Sequence, residues 1–426
     1  MAALKRKHDF EDALTSNCTS KDLPTNVSCW HLQNLISVGI SYSINSFTSP
    51  LEVLDRVPFI CQDVSDNSES LINYLSDCID FTISTNKHGI IFEESEDAHL
   101  TRRREYRSDV MRRMVETIDQ NLNKLKVNYS TFVEAGSLVS RENIPLIYAA
   151  AVHFILRVRE FVVRKFKGDN VDEQFFTELM LKFGEMFCMI SDSGGSKQKF
   201  CRVGDKMVTS VPDIRYSLMN LRDLPFQTVA VVSVVEVKKM SNFKCSSENC
   251  PKSNQTINSS DDKSTKSDHI EPLVIPTVSD TASTSAVVRS CQFSTSTTVS
   301  STVSSTENVV PGSSSSSRMS DFNIHTLDPT ILGEHGGELL AEYETVATRP
   351  YVIGMIVHGT KIIVTCLKLQ EDDYNEIKQN GKIPDDHSVN ITYSRPFDIF
   401  YPEDRKILYR VFFRLSDKCC ANSSTS

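Results

Sequence analysis

"VVSVVEVKK", residues 231–239, decides how this chain is read. Its β-branched run suits a strand buried on both faces. Side chains alternate along a strand, so Glu236 and Lys238 share one face and Val237 takes the other. Placing a carboxylate and an ammonium on a buried strand is costly unless each finds a partner. One partner can be the other; a metal ion with a further acidic group is the functional answer.

Working outward, "EQFFTELMLKFGEMFCMI" (173–190) carries Phe175, Phe176, Leu179, Met180, Phe183, Met186, Phe187 and Ile190 at helical spacing and reads as one core helix. "KFCRVGDKMVTSV" (199–211) reads as a hairpin turning at Gly204-Asp205. "PDIRYSL" (212–218) reads as a strand opening on proline. Downstream, "LGEHGGELLAEYE" (332–344) reads as a helix, "YVIGMIVHGTKIIVTCLKL" (351–369) as two strands about the His358-Gly359 turn, and "EDRKILYRVFFRL" as a closing amphipathic helix. "QEDDYNEIK" reads as a solvated turn leading into a helix. The order is helix, three strands, helix, two strands, an α+β protein with a mixed central sheet flanked by helices.

Asp213 opens one strand and Glu236 lies 23 residues later near the end of the next. If those strands pair, both carboxylates converge with Lys238 beside them. Such a set binds a divalent cation through hard oxygen ligands. The ion acidifies a bound water and neutralises charge on a phosphodiester, while the lysine orients the nucleophile or stabilises the oxyanion.

The pattern Pro212-Asp213 followed by Glu236-Val237-Lys238, within this element order, resembles the signature of the PD-(D/E)XK nuclease superfamily. The resemblance spans roughly residues 171–240 and 326–369 and implies a restriction-endonuclease-like core. It implies Mg2+ or Mn2+ held by Asp213, Glu236 and the main-chain carbonyl of Val237, with Lys238 assisting the attacking water. The expected function is metal-dependent hydrolysis of nucleic acid, DNA in preference to RNA. The alternatives are an idle nuclease-fold module that binds nucleic acid or protein, and a plain ion pair in an unrelated α+β protein.

Two departures from the family stand out. The fourth acidic ligand, carried by many members on the first core helix, has only Glu178 and Glu185 as counterparts, and both fall opposite the apolar stripe. A Gln four residues before Tyr343, expected of exonuclease-type relatives, is replaced by Leu339. Glu334, His335 and Glu338 can reach the site if their helix follows the catalytic strand, though nothing in the sequence fixes that.

The rest of the chain sets the frame. Its 426 residues are 39% hydrophobic and 24% charged, which suits a globular protein with room for two domains. The expected division is 1–100 without a confident fold, 101–170 helical with a basic face, 171–240 and 326–418 the two parts of the core, 241–325 a disordered Ser/Thr-rich insertion, and 419–426 a disordered tail. Residues 1–100 hold 6 Lys/Arg against 15 Asp/Glu, whereas 101–170 hold 14 against 8, concentrated in "TRRREYRSDVMRR". That segment either holds phosphates or is a solvated face paired with the acidic first hundred residues. The start, "MAALKRKHDF", shows no secretory h-region, and "LKRKHD" is at most a weak nuclear import signal. Twelve cysteines without framework spacing suit reduced thiols in the nucleus or cytoplasm. Cys245 and Cys250 look like half a zinc knuckle, but His269 and Cys291 do not complete it. The apolar run 144–163 contains His153, Arg157, Arg159 and Glu160, which makes it a buried amphipathic helix and no membrane span, with His153 expected in the core. "SDSGGS" (191–196) mimics a serine-protease nucleophile at Ser193, but no barrel fits between it and His153, so it reads as a turn.

Overall fold

The computed structural model describes residues 23–58, 60, 63–64, 66–79, 81, 100–140, 144–193, 198–218, 231–238 and 322–416. All belong to one unit, formed by Met1–Phe243 with Ser320–Ser426. The expected insertion up to residue 321, the cysteine pair Cys245 and Cys250, "LKRKHD" and the tail lie outside the described residues.

The valine run forms β6 (Val231–Lys238), buried along all but its last position. It lies inside an eight-stranded mixed sheet of order β1-β9-β8-β7-β6-β5-β2, with β10 (Phe397–Asp398) paired to β8. The strands are β1 (Ile40–Tyr42), β2 (Met189–Ser193), β5 (Ile214–Leu218), β7 (Tyr351–His358), β8 (Lys361–Lys368) and β9 (Val389–Tyr393). β6 pairs antiparallel with β5 and parallel with β7. A parallel pair needs a crossover between its strands. Helix α8 (Pro329–Glu342) lies between β6 and β7 in the chain and packs on both.

The other helices are α1 (Leu32–Ser37), α2 (Pro50–Leu54), α3 (Asp66–Cys78), α4 (Leu100–Val127), α5 (Tyr129–Ser140), α6 (Ile144–Lys167), α7 (Glu173–Glu185), α9 (Glu371–Asn380) and α10 (Pro402–Ser416). Two apolar cores result, one on each face of the sheet. Val235, Val237, Met355 and Val357 join α6, α7 and α10. Val234, Ile356, Ile363 and Leu367 join α8 and the N-terminal segment. Ring pairs such as Phe183–Phe412 and Phe187–Phe413, each 4.9 Å between centroids, lock α7 to α10. Each such pair adds roughly 0.5–1.5 kcal/mol beyond its area. The mixed sheet with helices on both faces is the expected fold class.

Several readings change. The core helix stops at Glu185, and Met189–Ser193 is a strand, antiparallel to β5. The turn expected at "SDSGGS" therefore begins inside the sheet, since Ser193 pairs with Ile214. The hairpin turns at Gly204 as expected, but its strands, β3 (Lys199–Val203) and β4 (Lys206–Ser210), form a separate two-stranded sheet. The strands preceding α8 in the main sheet are therefore β2, β5 and β6. "QEDDYNEIK" is itself helical, within α9. Residues 322–325, assigned to the insertion, include most of a 3-10 turn, Ile324–Thr326, with Ile324 buried. His153 is exposed rather than in the core.

The N-terminal region is a structural part of the sheet. β1 pairs parallel with β9 at one edge. Trp30 is fully buried, its indole N–H donating to the Pro24 carbonyl at 2.9 Å. Its ring packs where Gly337 of α8 has no side chain: a Cβ there would sit 2.8 Å from Trp30 Cε3. The glycines of "GEHGGE" make α8 thin enough for this segment to lie against it.

Residues 100–127, 129–140 and 144–167 are helical. The side chains of 101–110 lie outside the described ones. The described arginines of α6 pair within the helical region and α7: Arg157 with Glu160 and Glu178, Arg159 with Asp119, Arg164 with Glu160. Among the described residues no helix is long and apolar enough to cross a membrane.

Candidate metal centre

Ile214 pairs with Val235, so Asp213 stands at the mouth of β5 beside the last turn of the β6 pleat. Its Oδ2 accepts the Val237 N–H at 2.8 Å. Asp213 is thus tied to the strand that carries Glu236, but the carboxylate oxygens that gather within 4.8 Å of one another are those of Glu236, Glu334 and Glu338, without Asp213. Glu236 and Lys238 face α8, and Lys238 Nζ ion-pairs with Glu236 Oε1.

Helix α8 contributes a stripe. Glu334, Glu338 and Glu342 recur at four-residue spacing and so share a face. Glu334 Oε2 lies 3.1 Å from Lys238 Nζ. Glu236, Glu334 and Glu338 bring carboxylate oxygens within 4.8 Å of one another. Glu236 and Glu338 are buried, and Glu338 Oε2 has no hydrogen-bond partner. Glu342 is committed elsewhere: its Oε1 accepts from Arg215 Nε and its Oε2 from Thr345 Oγ1, both at 2.5 Å. That buried pair ties α8 to β5, the strand that begins beside Asp213.

His335, which the sequence left free to reach the site or not, turns toward β8, its Nε2 2.8 Å from Thr365 Oγ1. It fits only because Gly354 lacks a side chain; a Cβ there would approach His335 Cε1 to 2.6 Å. Burial pushes its imidazole down to about 3. Glu178 and Glu185 stay away from the cluster, paired with Arg157 and Lys182. Tyr343 packs against Tyr374 with its ring tilted by 34°, 4.3 Å between centroids. Two neighbours escaped the sequence reading. Glu173 opens α7 close enough for its charge to raise Asp213. Tyr42 of β1 feels Glu338 and Glu236 while its hydroxyl donates to the Leu332 carbonyl at 3.1 Å. No local signal in "ISY" marks that contact.

The electrostatics follow from burial. Asp213 is pushed up to about 6 by desolvation, against the pull of the Val237 amide and Lys238. Glu236 is raised well above the carboxylate range by burial and then by Asp213. Glu338 is raised in the same way by burial and by Glu236. Burial works against the Lys238 charge, but Glu236 and Glu334 outweigh it and hold the ammonium above its ordinary value. Four carboxyl groups around one lysine are short of positive charge, and protonation is how they coexist without a cation.

This donor set is all oxygen and includes a buried oxygen that accepts no hydrogen bond, so the acidic cluster can hold a metal ion. No protein-family model, curated protein or solved structure matches the chain.

Proposed function

We propose that this chain is a metal-dependent phosphodiesterase that hydrolyses nucleic acid, DNA in preference to RNA, through a PD-(D/E)XK-type centre. One observation carries the reading: Asp213, Glu236 and Lys238 meet on paired strands, roofed by Glu334 and Glu338 of the crossover helix. The succession α7, β2, β5, β6, α8, β7 supports it, being the helix, three strands, helix, strand order of that superfamily's core.

In this reading Asp213, Glu236, the Val237 carbonyl and one or both of Glu334 and Glu338 hold Mg2+ or Mn2+. A bound ion supplies charge neutralisation at the phosphodiester and a more acidic water. Lys238 is kept charged by its two glutamates, so it acts as a fixed cation and hydrogen-bond donor toward a phosphate oxygen, not as a proton acceptor. Asp213, half-buried at the strand mouth, meets the substrate side, while Glu236 and Glu338 lie behind it.

A second reading has its own support. Lys238 bridges Glu236 and Glu334, and that bridge is what a structural ion pair looks like. Calorimetry with Mn2+ on the native chain and on Asp213→Ala separates the two, followed by cleavage of labelled DNA and RNA. Mn2+ uptake lost in Asp213→Ala, with cleavage lost in Lys238→Ala, is the expected result. A native chain that takes up no Mn2+, even with an oligonucleotide present, refutes the nuclease and leaves a binding module or an ion pair.

A further inference from the structure

The acidic cluster is gripped by a cation that belongs to the chain itself. Lys238 Nζ ion-pairs with Glu236 Oε1 on its own strand and, at 3.1 Å, with Glu334 Oε2 of α8. Those are two of the three glutamates whose carboxylate oxygens gather within 4.8 Å of one another, the third being Glu338. The lysine therefore holds ligands that a divalent cation would use.

Exposure orders the four groups by depth. The Lys238 side chain is 24% exposed, that of Glu334 15% and that of Glu236 2%. Glu338 is as buried as Glu236, and its Oε2 has no hydrogen-bond partner. The ammonium thus lies on the outer side of the cluster, with an unused donor oxygen at the back.

A cation among these carboxylates sits roughly 2.0–2.6 Å from each oxygen it binds. Each carboxylate has two oxygens, so the donors alone do not force a choice between ion and lysine. Repulsion does. A divalent ion and an ammonium paired to the same glutamates stand within a few ångströms of each other, where burial leaves little water to screen them. The lysine is the group that can yield. Its backbone is fixed, because the Gly359 N–H donates to the Lys238 carbonyl at 3.0 Å. The flexible four-carbon stem is free to pivot toward the open side. Released, the amine remains a cation, since an ordinary lysine is protonated at neutral pH.

We propose that Lys238 is a displaceable occupant of the centre: uptake of a divalent cation by Glu236, Glu334 and Glu338 expels its ammonium, which swings outward to meet a substrate phosphate. Cation loading and delivery of the lysine are then one event. The role of the released lysine rests on the nuclease reading; the exchange itself rests on the acidic cluster.

The test is acetylation of the full chain by acetic anhydride, mapped lysine by lysine by mass spectrometry in EDTA and across a Mn2+ series, with calorimetry measuring Mn2+ uptake. An ammonium held between two carboxylates is shielded from the reagent. Lys238 is expected to be protected in EDTA and to take up label severalfold faster as Mn2+ binds, with its midpoint at the calorimetric Kd. Lys182 and Lys378, paired with Glu185 and Glu344, should not respond. Lys238→Met is expected to bind Mn2+ roughly tenfold more tightly, a gain of about 1.4 kcal/mol. Labelling of Lys238 that stays constant or falls while Mn2+ is taken up overturns the inference, and metal-dependent cleavage by the same chain keeps the nuclease reading. A Lys238→Met that binds Mn2+ no more tightly than the parent overturns it as well. A chain that exposes Lys238 on Mn2+ uptake yet cleaves neither DNA nor RNA upholds the exchange and removes the nuclease. A chain that takes up no Mn2+ loses both.

Discussion

Replacing Glu338 by methionine should make the metal-free protein more stable. Glu338 is buried, its Oε2 lacks a partner, and its neighbour Glu236 is acidic as well. A buried polar atom left unsatisfied costs about 1–3 kcal/mol. Methionine has nearly the same shape, and a swap that keeps volume costs under about 1.5 kcal/mol. The net expectation is a gain of about 1–2 kcal/mol, or roughly 2–4 °C in Tm for a unit of this size. With Mn2+ the ranking should reverse. A ligand at a hundred times its Kd stabilises the native state by about 2.7 kcal/mol, and the variant forfeits most of that. Thermal melts of both proteins in EDTA and across a Mn2+ series read the crossing. If Glu338→Met melts below the parent in EDTA, the carboxyl is an ordinary satisfied core group and the argument from its orphaned oxygen is wrong.

Arg215→Met alone should cost about 3–5 kcal/mol by leaving Glu342 buried without its partner; adding Glu342→Leu should restore most of it in urea unfolding, and a single variant as stable as the double one would contradict this. His335 is held neutral by burial, so above pH 6.5 it contributes nothing to the pH dependence. Below 6.5 the unfolded chain binds a proton that the native imidazole refuses until about pH 3, so stability falls with pH across that window. At about 1.36 kcal/mol per pH unit the full loss is of order 4–5 kcal/mol. The pH profile of His335→Gln subtracted from that of the parent isolates it from the neighbouring carboxyl groups, and parallel profiles would refute it. Gly354→Ala drives a methyl into His335 and Leu339, should cost about 1–3 kcal/mol, and should weaken Mn2+ binding by displacing α8; a variant with native Tm and affinity would show that α8 has room to spare.

The strands that make the site were legible because their signals are local: a proline at a strand entry, a valine run, and two charges two positions apart. β2 was hidden for an equally local reason. "FCMIS" continues the helical stripe, and the reversal falls at Cys188, which takes φ 59° without the glycine that usually announces such a helix end. Glu334 and Glu338 could be put on one helix face from spacing, but which face meets β6 depends on Trp30 and Leu35 occupying the glycine side of α8. That partner lies some 300 residues upstream, beyond any periodicity. β1 is only three residues long, too short for alternation to be visible in "ISY".

The joining of β1 to β9 has a temporal consequence. Ser41 Oγ donates to Asn390 Oδ1 across a separation of 349 residues. At a synthesis rate of about 5–20 residues per second, β1 emerges from the ribosome roughly 17–70 s before its partner strand exists. For most of that interval Trp30 and Leu35 lack α8, and for all of it the edge of β1 lacks β9. The nascent chain therefore carries an uncovered apolar hook from the synthesis of β1 until that of β9, a target for chaperones that vanishes once the two strands pair.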